Sequence, residues 1–276
     1  MLRPRYLIIG IVVLLVVAGG IWWIAARPFG CGSSDGPRTD VPALALPAPP
    51  GGTSVSLAGW KLTLPLPGEK GGAASVEPAA SSPPWLTRQP DGVLAFWAPV
   101  VGARTPNSQH PRTELVSLTN FKAGSGQHTL TASAAVAQTP ADTHDIILGQ
   151  IHGAEDIRSV PFVMLHYSAG TIRVVVKHAQ SGSASDKYPL VTDVPLGAWF
   201  NFSISDDGDG NMTFASTYGS QVRSVTVPIP QPFRGATVRF QAGNYQQGDP
   251  SDGSSAATPN GALVTVSILK ETPDAQ

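Results

Sequence analysis

The chain has 276 residues, of which only 13% are charged, with 29 glycines, 26 prolines and a formal net charge of −1. That balance excludes a globally basic nucleic-acid binder, and it means that any pull on an anionic ligand must come from a local cluster of cations. The single cysteine, Cys31, excludes an intrachain disulfide and the cysteine spacings of zinc sites.

Residues 7–26 are uncharged and almost entirely apolar, and about 20 such residues can span a bilayer as a helix. Arg3 and Arg5 precede the run, which favours that end staying in the cytoplasm, and Trp22 and Trp23 lie near its far end, where aromatic rings favour the membrane interface. An uncleaved anchor competes with a signal peptide cut near Ala25 and Ala26 and with lipid attachment at Cys31. All three readings export the rest of the chain, and the first gives it the lipid bilayer as a partner. The expected organisation is an anchor or signal segment over 1–26, a flexible Pro/Gly/Ala-rich linker over 27–54, and one folded domain over 55–271.

From Val55 the texture changes. W-K-L-T-L-P from Trp60 alternates and reads as a first strand, and 68–84 reads as loop. Further strands are expected at 93–100, 112–118, 127–137, 145–153, 162–167 and 171–177, the last two joined by a Ser-Ala-Gly hairpin turn. Strands at 199–205, 212–216, 221–227, 237–244 and 262–270 complete the pattern. D-D-G-D-G-N from Asp206 resembles part of a calcium loop, but its distal glutamate is missing and strands flank it, so a plain hairpin turn is expected. Residues 181–187 read either as a lid or as an ordinary surface loop. About a dozen strands with short turns and no convincing helix after the apolar run predict an antiparallel sandwich or jelly roll.

Three strands carry chemistry. In D-I-I-L-G-Q-I-H-G, from Asp145, alternation puts Ile146, Leu148, Gln150 and His152 on one face and Ile147, Gly149 and Ile151 on the other. In R-T-E-L-V, from Arg112, the arginine and Glu114 share a face, as an ion pair on an edge strand also would. In V-R-F-Q-A-G-N-Y-Q-Q, from Val238, one face holds Arg239, Gln241, Gly243 and Tyr245, while Phe240 and Ala242 point to the core.

W-K-L-T-L-P, R-T-E-L, Q-I-H and F-Q-A-G-N-Y-Q-Q occur in that order. The ordered set resembles polysaccharide lyase family 7, the alginate lyases with a concanavalin-like β-jelly roll, over residues 60–270. The resemblance implies an all-β jelly-roll sandwich whose concave sheet face is crossed by an anionic polysaccharide. It implies Arg112, Gln150, His152 and Tyr245 as catalytic residues, with Glu114, Arg239, Gln241, Asn244 and Gln247 as further substrate contacts. Glu114 also suits a supporting role, orienting Arg112 through a charge-assisted hydrogen bond. The implied reaction is β-elimination from a 4-linked uronate. Arg112 and Gln150 bind the carboxylate and stabilise its enolate-like charge. His152, whose ordinary pKa is about 6.5, suits the base, and Tyr245 suits the acid. The scheme requires no metal and no cofactor, and a monomer is expected.

The chain departs from the family's pattern at two points. The arginine motif often continues with a second arginine, where this chain has Val116. The third motif often reads tyrosine-phenylalanine-lysine, where this chain has Arg239, Phe240 and Gln241. These changes bear on which uronate is bound, glucuronan being one alternative. Two other classes compete: a non-catalytic polysaccharide-binding module on the same sandwich, and a glycoside hydrolase. The hydrolase would need two carboxylates flanking the bond, and acidic residues are scarce around these motifs.

Overall fold

A computed structural model describes residues 48–69, 71–77, 79–249 and 260–272. The expected anchor or signal segment, and all but the end of the expected linker, lie outside the described residues. Among the described residues no helix is long and apolar enough to cross a membrane.

Seventeen strands appear among the described residues. They are β1 (Ser54–Val55), β2 (Trp60–Pro67), β3 (Ala73–Val76), β4 (Leu86–Arg88), β5 (Leu94–Pro99) and β6 (Thr113–Ser117). Next come β7 (Phe121–Lys122), β8 (His128–Gln138), β9 (Asp145–Gly153), β10 (Pro161–Ser168), β11 (Thr171–Lys177) and β12 (Ser185–Pro189). The last are β13 (Trp199–Asp206), β14 (Asn211–Tyr218), β15 (Gln221–Pro228), β16 (Thr237–Gln246) and β17 (Gly261–Thr272). The twelve strands expected from sequence all form. The five additions are short: β1, β3, β4, β7 and β12. Two of them correct loop readings, since β3 lies within 68–84 and β12 begins within 181–187.

The strands form two sheets. An eight-stranded sheet runs β15-β14-β13-β8-β17-β5-β4, with β1 added beside β17. A nine-stranded sheet runs β12-β11-β10-β9-β16-β6-β2-β3, with β7 added beside β16. β1 pairs parallel to β17, and the neighbouring ladders are antiparallel. The inner faces of the two sheets pack into one core. Leu62, Leu115, Ile151 and Phe240 come from the nine-stranded sheet, and Phe96, Leu130, Phe202 and Val264 from the other. Burial follows the two-residue period where one face is solvated, as along β13 and β14. Polar residues on the outer face of the nine-stranded sheet are therefore placed by strand parity.

At β9 that parity is broken. Leu165 pairs with Gly149, and the next residue, His166, pairs with Ile147, so β9 carries one residue more than β10 over this step. The result is a bulge at Leu148. Ile146 and Leu148 stay in the core, and Gly149 also faces inward, where an added β-carbon would lie 3.0 Å from Cε2 of Phe202. Ile147, not Ile146 or Leu148, shares the outer face with Gln150 and His152. The simple alternation expected for this strand is thereby corrected, while its polar end faces outward as expected.

Beyond β9 the chain makes a tight turn. Gly153 N–H donates to Val160 O at 2.8 Å, and a 3₁₀ turn, Glu155–Ile157, folds back against it. A β-carbon at Gly153 would overlap the carbonyl oxygen of Ile157. The sequence can make this turn because nothing projects from residue 153. Gly153→Ala should cost about 1–3 kcal/mol of stability, typical of overpacking, read as a lower urea midpoint. An unchanged midpoint would show that the turn has room to move.

Candidate active site

The site lies on the outer face of the nine-stranded sheet and is built from cross-strand partners. Arg239 pairs with His152, and Gln241 with Gln150, between β16 and β9. On the other side of β16, Gln241 pairs with Val116 and Gly243 with Glu114. β2 then adds Lys61 beside Val116 and Thr63 beside Glu114. Together with the loop before Arg112 and the turn after β9, these residues line an open cleft of about 390 Å³.

Glu114 is completely buried. One of its carboxylate oxygens accepts from Arg112 Nη1 at 2.8 Å and the other from Gln150 Nε2 at 2.5 Å. The second hydrogen of the Gln150 amide goes to Gln241 Oε1 at 3.2 Å. Arg112 also donates from Nη2 to Ser108 Oγ at 3.2 Å, and its guanidinium carbon lies 3.4 Å from the centroid of the Tyr245 ring. That stacking is a cation–π contact. The Tyr245 hydroxyl lies 2.9 Å from Ser108 Oγ.

His152 faces the cleft with Nδ1 3.1 Å from the carbonyl oxygen of Gly153. A carbonyl only accepts, so the neutral ring carries its hydrogen on Nδ1 and keeps the Nε2 lone pair free. Burial pushes the imidazole down to about 4, and the charges of Arg112 and Arg239 add to that, while the Gly153 bond opposes it. Burial also lowers Arg239 against the pull of Glu114. Burial and the Arg239 charge together lower Lys61, with Glu77 opposing.

Eight of the nine residues singled out from sequence line this cleft: Arg112, Glu114, Gln150, His152, Arg239, Gln241, Tyr245 and Gln247. Glu114 is spent on Arg112 and Gln150, which is the supporting role and leaves no oxygen for a ligand. Asn244 is the exception. It is fully buried on the inner face, and its Nδ2 donates to Phe96 O at 2.9 Å and Ala262 O at 2.7 Å, both on the other sheet. Strand parity placed it there, one residue from Tyr245. Expected as a substrate contact, it is instead a clamp between the sheets.

Sequence reasoning missed Lys61, Thr63, Ser108, Arg158 and Ser159, which also line the cleft. The alternation of W-K-L-T-L-P carried the signal for the first two, since Lys61 and Thr63 share its polar face. Ser108 sits in a polar loop without periodicity, and Arg158 and Ser159 sit in the turn that Gly153 permits. Asp206 and Asp207, in the calcium-like stretch, accept backbone N–H groups of their own hairpin and of Gly124.

Comparison with known proteins decides the family. The alginate lyase family model matches residues 55–272. The chain belongs to the alginate lyase family. The solved structures that resemble this lyase include alginate lyase A1-II′, a member of polysaccharide lyase family 7. It is 25% identical with a TM-score of 0.66, over 80% of this chain and 96% of that one. An alginate lyase of Pseudomonas aeruginosa is 23% identical with a TM-score of 0.69, over 80% and 100%. One of Klebsiella pneumoniae is 19% identical with a TM-score of 0.66, over 80% and 98%. No curated protein matches the chain by sequence. As a polysaccharide lyase of family 7 it is an enzyme on an all-β sandwich, which removes the binding-module and hydrolase alternatives.

Two measurements test this geometry. An NMR titration of His152 should have its midpoint near pH 4, and Arg239→Gln should raise it. Because the folded value lies below the ordinary one of about 6.5, folding favours the neutral ring. Its contribution is present above pH 6.5 and is lost as the pH falls toward 4. A midpoint unmoved by Arg239→Gln would leave Arg239 without electrostatic effect on the ring. Asn244→Ala should cost about 1–3 kcal/mol by stranding two buried carbonyls, with KM unchanged. A raised KM at intact stability would return Asn244 to the cleft.

Proposed function

We propose that this lyase cleaves alginate, a 4-linked uronate polymer, by β-elimination in the cleft, leaving an unsaturated uronate at the new end. The charge of the cleft carries the reading. Four cations, Lys61, Arg112, Arg158 and Arg239, line it with one carboxylate, Glu114, on a chain whose formal net charge is −1. That is the local cationic cluster an anionic polymer requires. Alginate lyase A1-II′ has been crystallised with product (GGG) and with substrate (GGMG), which supports a polymer in the equivalent cleft.

The residues suit the chemistry as follows. The C5 proton is hard to remove because the neighbouring carboxylate is already negative. Arg112 keeps N–H groups beyond those given to Glu114 and Ser108. Gln150 reaches the same carboxylate by giving up its longer bond, the one to Gln241. Charge that builds on the carboxylate is met by donors already in place, which lowers the barrier selectively. His152 accepts the C5 proton at Nε2. The C5 electron pair forms the C4–C5 double bond, the C4–O bond breaks, and Tyr245 protonates the departing oxygen. The entering carboxylate also offsets the guanidinium charges that hold His152 low, so the base strengthens when substrate is bound.

Which uronate is cleaved depends on the face of the C5 proton. Where that proton lies on the leaving-group side, as in mannuronate, Tyr245 serves as both base and acid. Where it lies on the opposite side, as in guluronate, His152 is the base, and the free Nε2 favours this arrangement. Glucuronan is the alternative polymer, motivated by the uncharged Val116 and Gln241. The apolar run 7–26 supports export of the domain toward such polymers, anchored to a membrane or secreted.

The test is a lyase assay on the purified full-length chain with polyguluronate, polymannuronate and glucuronan, following the ultraviolet absorbance of unsaturated ends. Absorbance should rise on polyguluronate. Tyr245→Phe should lower turnover by at least about 100-fold, the scale of acid–base catalysis. A flat signal on all three from folded protein would sink the proposal. A rise on glucuronan alone would replace alginate as the substrate.

A further inference from the structure

Ser108, in the cleft wall, touches both Tyr245 and Arg112. Its Oγ lies 2.9 Å from the Tyr245 hydroxyl, 2.9 Å from the carbonyl oxygen of His110 and 3.2 Å from Arg112 Nη2. A serine hydroxyl has one hydrogen and two lone pairs. When Tyr245 is a neutral phenol, one arrangement satisfies every group. Ser108 donates to His110 O and accepts from Arg112 and from Tyr245. When Tyr245 has lost its proton it can no longer donate and needs a donor. Rotation about the Cβ–Oγ bond moves the Ser108 hydrogen from His110 O to the phenolate, with no heavy atom displaced.

The surroundings hold this pivot still. Ser108 N–H donates to Thr105 O at 3.0 Å. His110 is tied through Nδ1 to the carbonyl of Gly248 at 3.0 Å, just beyond β16. The loop that carries Ser108 and the His110 carbonyl is therefore fastened at both ends. Arg112, stacked on the ring face, holds the ring in place from one side.

We infer that Ser108 is a positioning residue for proton transfer, holding the Tyr245 oxygen in place and receiving the phenolate through a hydrogen switched away from the His110 carbonyl. The inference rests on Tyr245 as the acid of the elimination. In that step the Tyr245 proton moves to the glycosidic oxygen as the C4–O pair leaves with it, while the C5 proton moves to His152. Ser108 forms and breaks no covalent bond. It changes only the partner of its hydrogen.

The experiment compares the full-length chain with Ser108→Ala, Ser108→Cys and Ser108→Thr on the polymer that wild type cleaves, with thermal melts alongside. Ser108→Ala should lower kcat by roughly 10- to 100-fold, the scale of one hydrogen bond to a charged group, with KM within about twofold. Ser108→Cys keeps the size but offers a weak donor, so it should also lose kcat while melting like wild type. Ser108→Thr should recover kcat to within about threefold. In the Tyr245→Phe background, Ser108→Ala should add nothing further, because the two act as a unit. Wild-type kcat in a folded Ser108→Ala or Ser108→Cys, a change confined to KM, or failure of a folded Ser108→Thr to recover would overturn the inference and leave the lyase reading standing. An inactive wild type would overturn both.

Discussion

The buried carboxylate of Glu114 is the constraint on which the site depends. Taking an ionised carboxylate fully out of water costs several kcal/mol unless it is paired and hydrogen-bonded. Glu114 meets that condition by binding Arg112 with one oxygen and Gln150 with the other. Those two residues sit on opposite sides of β16, so one side chain links β6 to β9 across the strand between them. At the crossing point the register partner of Glu114 is Gly243, where a β-carbon would press on the Thr113 carbonyl and on Phe96. Arg112 and Gln150 are thereby fixed before any ligand arrives, as preorganised electrostatic stabilisation requires.

That arrangement works against His152, and the opposition is useful. Burial, with two nearby guanidiniums adding to it, disfavours protonation of the imidazole, so the ring waits in the neutral form with Nε2 open. In the proposed reaction the same cations meet the substrate's carboxylate, and its arrival offsets part of the charge that weakens the base. Binding and base strength are coupled through Coulomb's law without any movement of the backbone. The cost falls on stability in acid, where the unfolded chain binds a proton at His152 that the folded chain refuses.

The architecture was legible because periodicity carries it. Alternation located the long strands, and three motifs on them supplied most of the cleft. The losses have specific causes. β1, β3, β4, β7 and β12 have two to five residues each, too few for a period to show. Their pairing is imposed by longer neighbours. The face of Ile147 was misread because the bulge at Leu148 shifts parity, and only the ladder with β10 reveals an extra residue. Asn244 was misassigned for the opposite reason: there parity held, and proximity to Tyr245 in the motif outweighed it. Arg158 and Ser159 reach the cleft through a turn that depends on the absence of a β-carbon at Gly153, a contact no local pattern announces.

The two departures from the family's pattern acquire a spatial meaning in the sheet. Val116 and Gln241 are register partners, so the uncharged positions form one neutral pair in the cleft floor. Lys61 flanks that pair on β2, and Arg239 lies on the next rank, opposite His152. Relative to the family's pattern, positive charge has left the middle of the floor and appears beside the imidazole, at Arg239. Burial and the Arg239 charge both lower the hold of Lys61 on its proton. A carboxylate lying near both cations would offset the two charges, so the proposed reaction is better served by one held beside the base than by one at the centre of the floor. The cation gained at Arg239 thus adds to the burial that already depresses the imidazole, and the carboxylate proposed to bind there would offset the charge part of that effect.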